Sequence, residues 1–268
     1  MDFVKMHGLG NDFICLDHFL FPPAMDYPEI ARHLCHRQFG IGADGLIAIL
    51  PSDIADARMR IFNPDGSEPE MCGNGIRCFA RYVYDTGYIQ KDSMTVETLA
   101  GILTINLEIE NRQVKAVTVR MGEPILDPKL ILEEQIEICG RKLSFTSVSM
   151  GNPHCVIFVE DLGRLEFELL GPAIEKHSRF PQKTNVEFVR VDNLQELTMK
   201  VWERGAGSTL ACGTGACASV VAAVLGGRVE RKVLVHLPGG DLRIEWGRDN
   251  QIYMTGPSTY VFSGKLLE

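Results

Sequence analysis

Cys72 and Cys212 each stand immediately before Gly-x-Gly and a largely apolar run that reads as a helix, in CGNGIRCFARYVY and CGTGACASVVAAVL. The first turn of a helix has backbone N–H groups without intrahelical acceptors and carries partial positive charge. A thiol held there is expected to lose its proton below the ordinary cysteine value of about 8.5. The same N–H groups can cradle a carboxylate, and the glycines let a ligand approach the backbone closely. One short motif thus offers an acid/base group beside an anion site. Taken alone, a cysteine before such a turn is more often a small residue in a tight place. Two of them open a specific chemistry. Removing the α-proton of an amino acid needs a base on one face of the carbon, and inversion needs an acid on the other. A thiolate and a thiol that exchange roles serve both directions.

The two motifs belong to a longer internal repeat. MRIFNPDGSEPEMCGNGIRC, from Met59, lies without a gap over MKVWERGAGSTLACGTGACA, from Met199, at an offset of 140. GLGNDFI (8–14) and SMGNPHCVI (149–157) set Asn11 against Asn152 at an offset of 141. LAGILTINL (99–107) and LPGGDLRIEW (237–246) align Leu103 with Leu242 and Ile105 with Ile244 at 139. Three matches in nearly one frame indicate a duplicated domain. The expected domains are 1–117, rejoined by 259–268, and 118–258.

The elements around the motifs are mostly strands. Strand-like alternation marks MRIFN, MTVETL, GILTINLEI, VKAVTVRM, HCVIFVE, VEFVRV, LTMKVWE, KVLVHL and LRIEW. Helices are expected in YPEIARHLCHRQ, from Cys72 to Tyr84, and from Cys212 to Leu225. The fold class is α+β, with antiparallel or mixed sheets buried on one face.

Composition narrows the field. The formal net charge of −8, with no cluster of Lys or Arg, argues against nucleic acid as a partner. The N-terminal segment has no apolar core of a signal peptide. The uncharged stretch Gly205–Gly227 is densely apolar only over Ala216–Leu225, too short for a bilayer, so a buried helix is expected and no membrane. Eight cysteines without an export signal point to free thiols in a reducing cytoplasm. The pairs Cys72/Cys78 and Cys212/Cys217 do not have the spacing of CxxC knuckles, so no metal is expected. GIGADG (40–45) satisfies GxGxxG but precedes the apolar run LIAIL rather than a helix, and GSTLACGTGACAS has no P-loop lysine.

At these residues the chain closely resembles the diaminopimelate epimerase family. KMHGLGNDFI (5–14), FNPDGSEPEMCGNGIRCFARY (62–82), SMGNPHCVIFV (149–159), ERGAGSTLACGTGACA (203–218) and LPGGDLRIEW (237–246) carry the resemblance, in the family's order along nearly the whole chain. It implies an isomerase that interconverts LL- and meso-diaminopimelate without pyridoxal phosphate or any other cofactor, on the route to lysine and peptidoglycan precursors. It also implies two similar domains, each a barrel-like mixed sheet around a central helix, related by a pseudo-two-fold with the active site between them. The sole expected partner is the small-molecule substrate. A homodimer stays open.

By the same resemblance Cys72 and Cys212 are the catalytic pair. The reacting carboxylate falls to backbone N–H groups at Gly73–Asn74 and Gly213–Thr214. Asn11, Asn63, Asn152, Asn185, Glu203 and Arg204 match the positions that read the rest of the substrate, and His154 and Glu203 match residues that tune the thiols. Arg204 suits a carboxylate and Glu203 an ammonium. Read without the family, the asparagines beside Gly or Pro are turn residues, His154 a satisfied core histidine and Glu203–Arg204 surface charge. The chain departs from the family at Ser208, where many members carry a carboxylate, and at Gly45, where some carry a glutamine.

Overall fold

The computed structural model describes residues 1–21, 23–127 and 132–267. The chain forms two compact units, Met1–Arg120 with Thr255–Glu268, and Met121–Met254.

The first unit contains β1 (Asp2–Gly8), β2 (Asn11–Asp17), α1 (Tyr27–Leu34), β3 (Gly45–Leu50), β4 (Ala57–Phe62), α2 (Gly73–Asp85), β5 (Ser93–Thr98), β6 (Gly101–Glu110) and β7 (Gln113–Gly122). The second contains β8 (Glu134–Ile138), β9 (Arg141–Ser149), β10 (Pro153–Phe158), α3 (Phe167–Glu175), β11 (Asn185–Asn193), β12 (Glu196–Glu203), β13 (Gly207–Thr209), α4 (Gly213–Leu225), β14 (Lys232–Leu237), β15 (Gly240–Trp246) and β16 (Ile252–Gly256). β17 (Thr259–Lys265) returns to the first unit and pairs antiparallel with β1.

Both sheets are mixed and follow one plan. In the first unit β2–β3 and β4–β5 are parallel, and β1–β2, β3–β4, β5–β6 and β6–β7 are antiparallel. In the second, β10–β11 and β12–β14 are parallel, and β9–β10, β11–β12 and β14–β15 antiparallel. Even the register repeats. Phe13 lies opposite Gly45 as His154 lies opposite Asn185, and Ser93 opposite Asn106 as Lys232 opposite Glu245.

α2 packs against β1, β2, β3, β4 and β6, and α4 against β9, β10, β11 and β15. A sheet that brings so many strands to one helix has to curl around it, so each domain is a barrel-like sheet on a central helix. Composition suits α4 to that place: Ala216, Cys217, Ala218, Val220, Val221, Ala222 and Ala223 are all buried, and a helix apolar all round belongs inside. α2 is also buried but carries Arg77, whose guanidinium donates to the carbonyls of Gly73 at 2.9 Å and Pro257 at 3.1 Å. Arg81 likewise donates to the Ser258 carbonyl, tying the returning segment to the helix.

α1 and α3 cover the other face of their sheets. Tyr27, Ala31 and Leu34 of α1 pack with Leu46, Ala48, Leu50 and Phe62, and Leu170 and Ile174 of α3 pack with Val186 and Phe188. β3 is therefore buried along its whole length, which explains why GLIAIL shows no alternation. Asp26 caps α1 through the Glu29 N–H at 3.2 Å. The helix stops at Leu34 rather than Gln38, because the His36 ring accepts from the N–H groups of Gln38 and Phe39 and holds a turn there.

α3 is a correction to the expected three helices. Its segment FELLGPAIE contains Gly171 and Pro172, which read as breakers. Packing overrides them, since a Cβ at Gly171 would lie 2.8 Å from the Trp202 ring. Among the described residues no helix is long and apolar enough to cross a membrane.

Candidate active site

Cys72 and Cys212 are the N-caps of α2 and α4. Both have extended backbones, with φ −138° and ψ 117° at Cys72 and φ −123° and ψ 111° at Cys212. Each sulfur bends back to accept the third N–H of its helix, Gly75 at 3.5 Å and Gly215 at 3.4 Å, as a serine or aspartate oxygen does at an ordinary cap. Helix geometry gives the N–H groups of Gly73, Asn74, Gly213 and Thr214 no intrahelical acceptor, so each mouth is shaped for an anion beside a sulfur.

The glycines have a second use that the sequence does not display. A Cβ at Gly75 would lie 2.9 Å from Ile61 Cδ1 and 3.3 Å from Ile47 Cδ1. At Gly215 it would lie 2.7 Å from Glu187 Oε1 and 3.3 Å from Cys212 Sγ, and at Gly213 2.8 Å from Met254 Sδ. These turns are pressed onto the sheet as well as open to a ligand.

Around Cys72, the Asn11 side-chain oxygen accepts from Asn74 Nδ2 at 3.1 Å and from the Cys72 thiol at 3.8 Å. Asn11 Nδ2 donates to Asp44 Oδ2 at 3.0 Å, which fixes the orientation of the amide. Asp44 and Asp12 share Arg37, and Lys5 meets Asp12 at 2.6 Å. Burial raises the Asp12 carboxyl, but hydrogen bonds from Arg37 and Lys5 outweigh it and hold the group at about 2. Asn63 belongs to a turn just beyond β4: its Nδ2 donates to Ser67 Oγ at 2.9 Å.

Around Cys212 the surroundings are more polar. Thr214 Oγ1 lies 3.5 Å from the sulfur and accepts from Asn152 Nδ2 at 3.2 Å. Asn152 Oδ1 is 3.0 Å from His154 Nε2, and His154 Nδ1 is 2.7 Å from Glu187 Oε1. Glu203, at the end of β12, accepts from Thr209 Oγ1 at 2.5 Å and is also hydrogen-bonded to Cys212. Asn185 bridges the Pro153 carbonyl and the Arg204 N–H, each at 2.9 Å, and the Arg204 side chain reaches the Gln182 carbonyl at 3.4 Å.

Two features correct the sequence reading. The helix-mouth argument expects an acidified thiol, yet burial, reinforced by Glu203 and Glu187, pushes the Cys212 thiol well above its usual value. The bonds from Thr214 and Gly215 lower it but do not prevail. Burial also raises the Glu203 carboxyl. The second feature is Glu187, which sequence reasoning passed over. Its signal was a carboxylate in the apolar strand VEFVRV, on the face shared with Asn185 rather than with Val186 and Phe188.

The two departures from the family lie differently. Ser208 is exposed on β13, opposite Trp202. Gly45 is buried, and a Cβ there would stand 3.0 Å from the Phe62 carbonyl, so the fold leaves little room for a larger residue.

Cys78 and Cys217 are fully buried within α2 and α4. Among the described residues no group of three or more His, Cys, Asp or Glu side chains is placed to hold a metal ion.

The chain is similar to known proteins along nearly its whole length. A family model described as Diaminopimelate epimerase matches residues 3–126 and 146–261. The Diaminopimelate epimerase of Desulfitobacterium hafniense is 67% identical, covering 100% of this chain and 99% of that protein. The Diaminopimelate epimerase of Moorella thermoacetica is 57% identical over 98% of each. Among solved structures, a phenazine biosynthesis protein of the PhzF family from Bacillus anthracis shares the fold, with a TM-score of 0.76 at 17% identity over 100% of this chain and 99% of that one. With a family model matching most of its length and a relative two-thirds identical from end to end, the chain belongs to the diaminopimelate epimerase family.

Proposed function

We propose that this protein is a pyridoxal-phosphate-independent epimerase that interconverts LL- and meso-2,6-diaminopimelate by proton transfer at Cα. Cys72 and Cys212 form its thiolate/thiol pair. The observation that carries the reading is the cysteine cap built twice, on α2 and on α4, each with a sulfur beside an anion-binding helix mouth. Family membership supplies the substrate.

The chemistry follows from the groups. Backbone N–H groups at Gly73–Asn74 and Gly213–Thr214 hold the carboxylate next to the reacting carbon. One sulfur takes the α-proton while the other returns a proton to the opposite face, so the centre inverts and the sulfurs exchange states. Cys212, pushed up by burial and two carboxylates, keeps its proton in the substrate-free protein, the state an acid requires. Asn11, Asn63, Asn152, Asn185, Glu203 and Arg204 read the amino and carboxyl groups of the substrate, and His154 and Glu203 set the thiol's electrostatics. All eight cysteines are free thiols, in keeping with a cytoplasmic enzyme.

The test is a coupled assay on LL-diaminopimelate beside a panel of other amino acids, with deuterium uptake at Cα from heavy water. Epimerisation of diaminopimelate with solvent exchange is expected. Turnover of a different amino acid alone would replace the substrate, and retention of the α-hydrogen would end the two-base mechanism.

A further inference from the structure

In the first unit the α2 mouth rests on Ile47, and Phe13 precedes it across the sheet. At the equivalent places of the second unit stand Glu187 and His154. The duplicated floor is apolar under Cys72 and polar under Cys212. Two fully buried titratable side chains have replaced two apolar ones, at a desolvation cost that a purely structural floor does not need.

The hydrogen bonds of this pair run on to Asn152 and Thr214. With Asn152 Nδ2 donating to Thr214, its Oδ1 faces His154 Nε2, and a hydrogen on Nε2 completes that bond. On its other side the ring is hydrogen-bonded through Nδ1 to Glu187 Oε1 at 2.7 Å. Glu187 is fully buried and its Oε2 has no hydrogen-bond partner among the described residues, so its contact with His154 is what compensates its burial. The carboxylate lies under the first turn of α4, where it and Cys212 Sγ flank the site of a Gly215 Cβ.

We propose, on the reading of the site given above, that Glu187 is a positioning residue for the Cys212 half of the reaction. Its hydrogen bond with His154 fixes the imidazole, which orients Asn152, which in turn holds Thr214 against the sulfur. The other titratable groups facing Glu187 are Glu203 from β12 and Cys212 from α4, while Cys155, next to His154 on β10, lies on the opposite face with Val186 and Phe188.

The experiment combines histidine ¹⁵N NMR of the whole protein with kinetics of Glu187→Ala and Glu187→Gln. The His154 signals are assigned by their loss in His154→Phe. In the native protein the His154 signals are those of one ordered ring, hydrogen-bonded through Nδ1 to Glu187 and through Nε2 to Asn152. Glu187→Ala removes the Nδ1 partner, which shifts the His154 signals, and lowers kcat about 10- to 100-fold with a smaller change in KM. Glu187→Gln, which can still bond Nδ1, recovers most of that loss. His154 signals unchanged by Glu187→Ala overturn the proposal, as does a folded Glu187→Ala with native kcat. The NMR readout needs no turnover, so it stands or falls separately from the substrate assignment.

Discussion

Ile47 and Glu187 occupy equivalent places in the two units, each two residues beyond the β3 or β11 residue that opposes Phe13 or His154. Each also approaches the third residue of its cysteine-capped helix, Gly75 or Gly215. Backbone, helix and sulfur are repeated while the floor beneath them is not. Two thiols built alike therefore sit in unlike electrostatic settings, and the consequences can be measured.

Cys72→Ala and Cys212→Ala should each reduce epimerisation by about 10²-fold to 10⁴-fold or more, because inversion uses both groups. Initial rates on LL- and on meso-diaminopimelate check this in both directions. Substantial turnover by either variant would remove the cysteine pair from the mechanism.

Alkylation by iodoacetamide reads the Cys212 environment. Burial first, then Glu203 and Glu187, raise the thiol, so the reactive thiolate should be scarce at neutral pH and increase as pH climbs past the usual value of 9.0. Glu203→Gln removes one of the anions and should speed modification at neutral pH, by about tenfold for each pKa unit released. Peptide mass spectrometry follows the site, and an unchanged rate would acquit Glu203 of any influence.

Adding a methyl group at each helix mouth separates the two floors. In Gly75→Ala the new Cβ meets the flexible ends of Ile61 and Ile47, and the cost should be about 1 kcal/mol or less. In Gly215→Ala it meets a carboxylate held by His154, so about 1–3 kcal/mol and most of the activity should be lost. Urea unfolding of both variants gives the comparison, and equal costs would contradict the difference in floors.

Asp12 gives a pH signature in stability. Its folded value, about 2, lies below the ordinary aspartate value of 3.8, so its contribution is complete above about pH 4 and is lost as pH falls toward 2. Allowing for solvent screening at the partly exposed Arg37, about 1–2 kcal/mol is at stake. Asp12→Asn should be less stable than the native protein at pH 7, with the difference shrinking near pH 2. Denaturant titrations across that range would show it.

Much of the site was legible because its motif is local. A cysteine followed by Gly-x-Gly and an apolar run specifies a capped helix, and α2 and α4 begin at Gly73 and Gly213 as the sequence indicates. Strands with one solvated face were readable from alternation. β3 was not, because α1 and α2 bury both its sides. α3 was hidden by Gly171 and Pro172, although the repeat held the clue: Phe167, its first residue, is 140 positions beyond Tyr27, the first of α1. Glu187 escaped for a different reason. A buried carboxylate acquires meaning only when His154 and Gly215 are brought to it, and neither is near it in the chain.

The pairing of β1 with β17 joins Asp2 to Lys265. The first unit is thus completed only after the intervening second unit has been synthesised, while the second is one unbroken stretch. On the ribosome the order of folding should run against the order of synthesis, with the first barrel waiting, one edge unpaired, for the strand that closes it. Throughout that interval β1 is an open template, and the chain is most exposed to wrong partners before its own returning strand arrives.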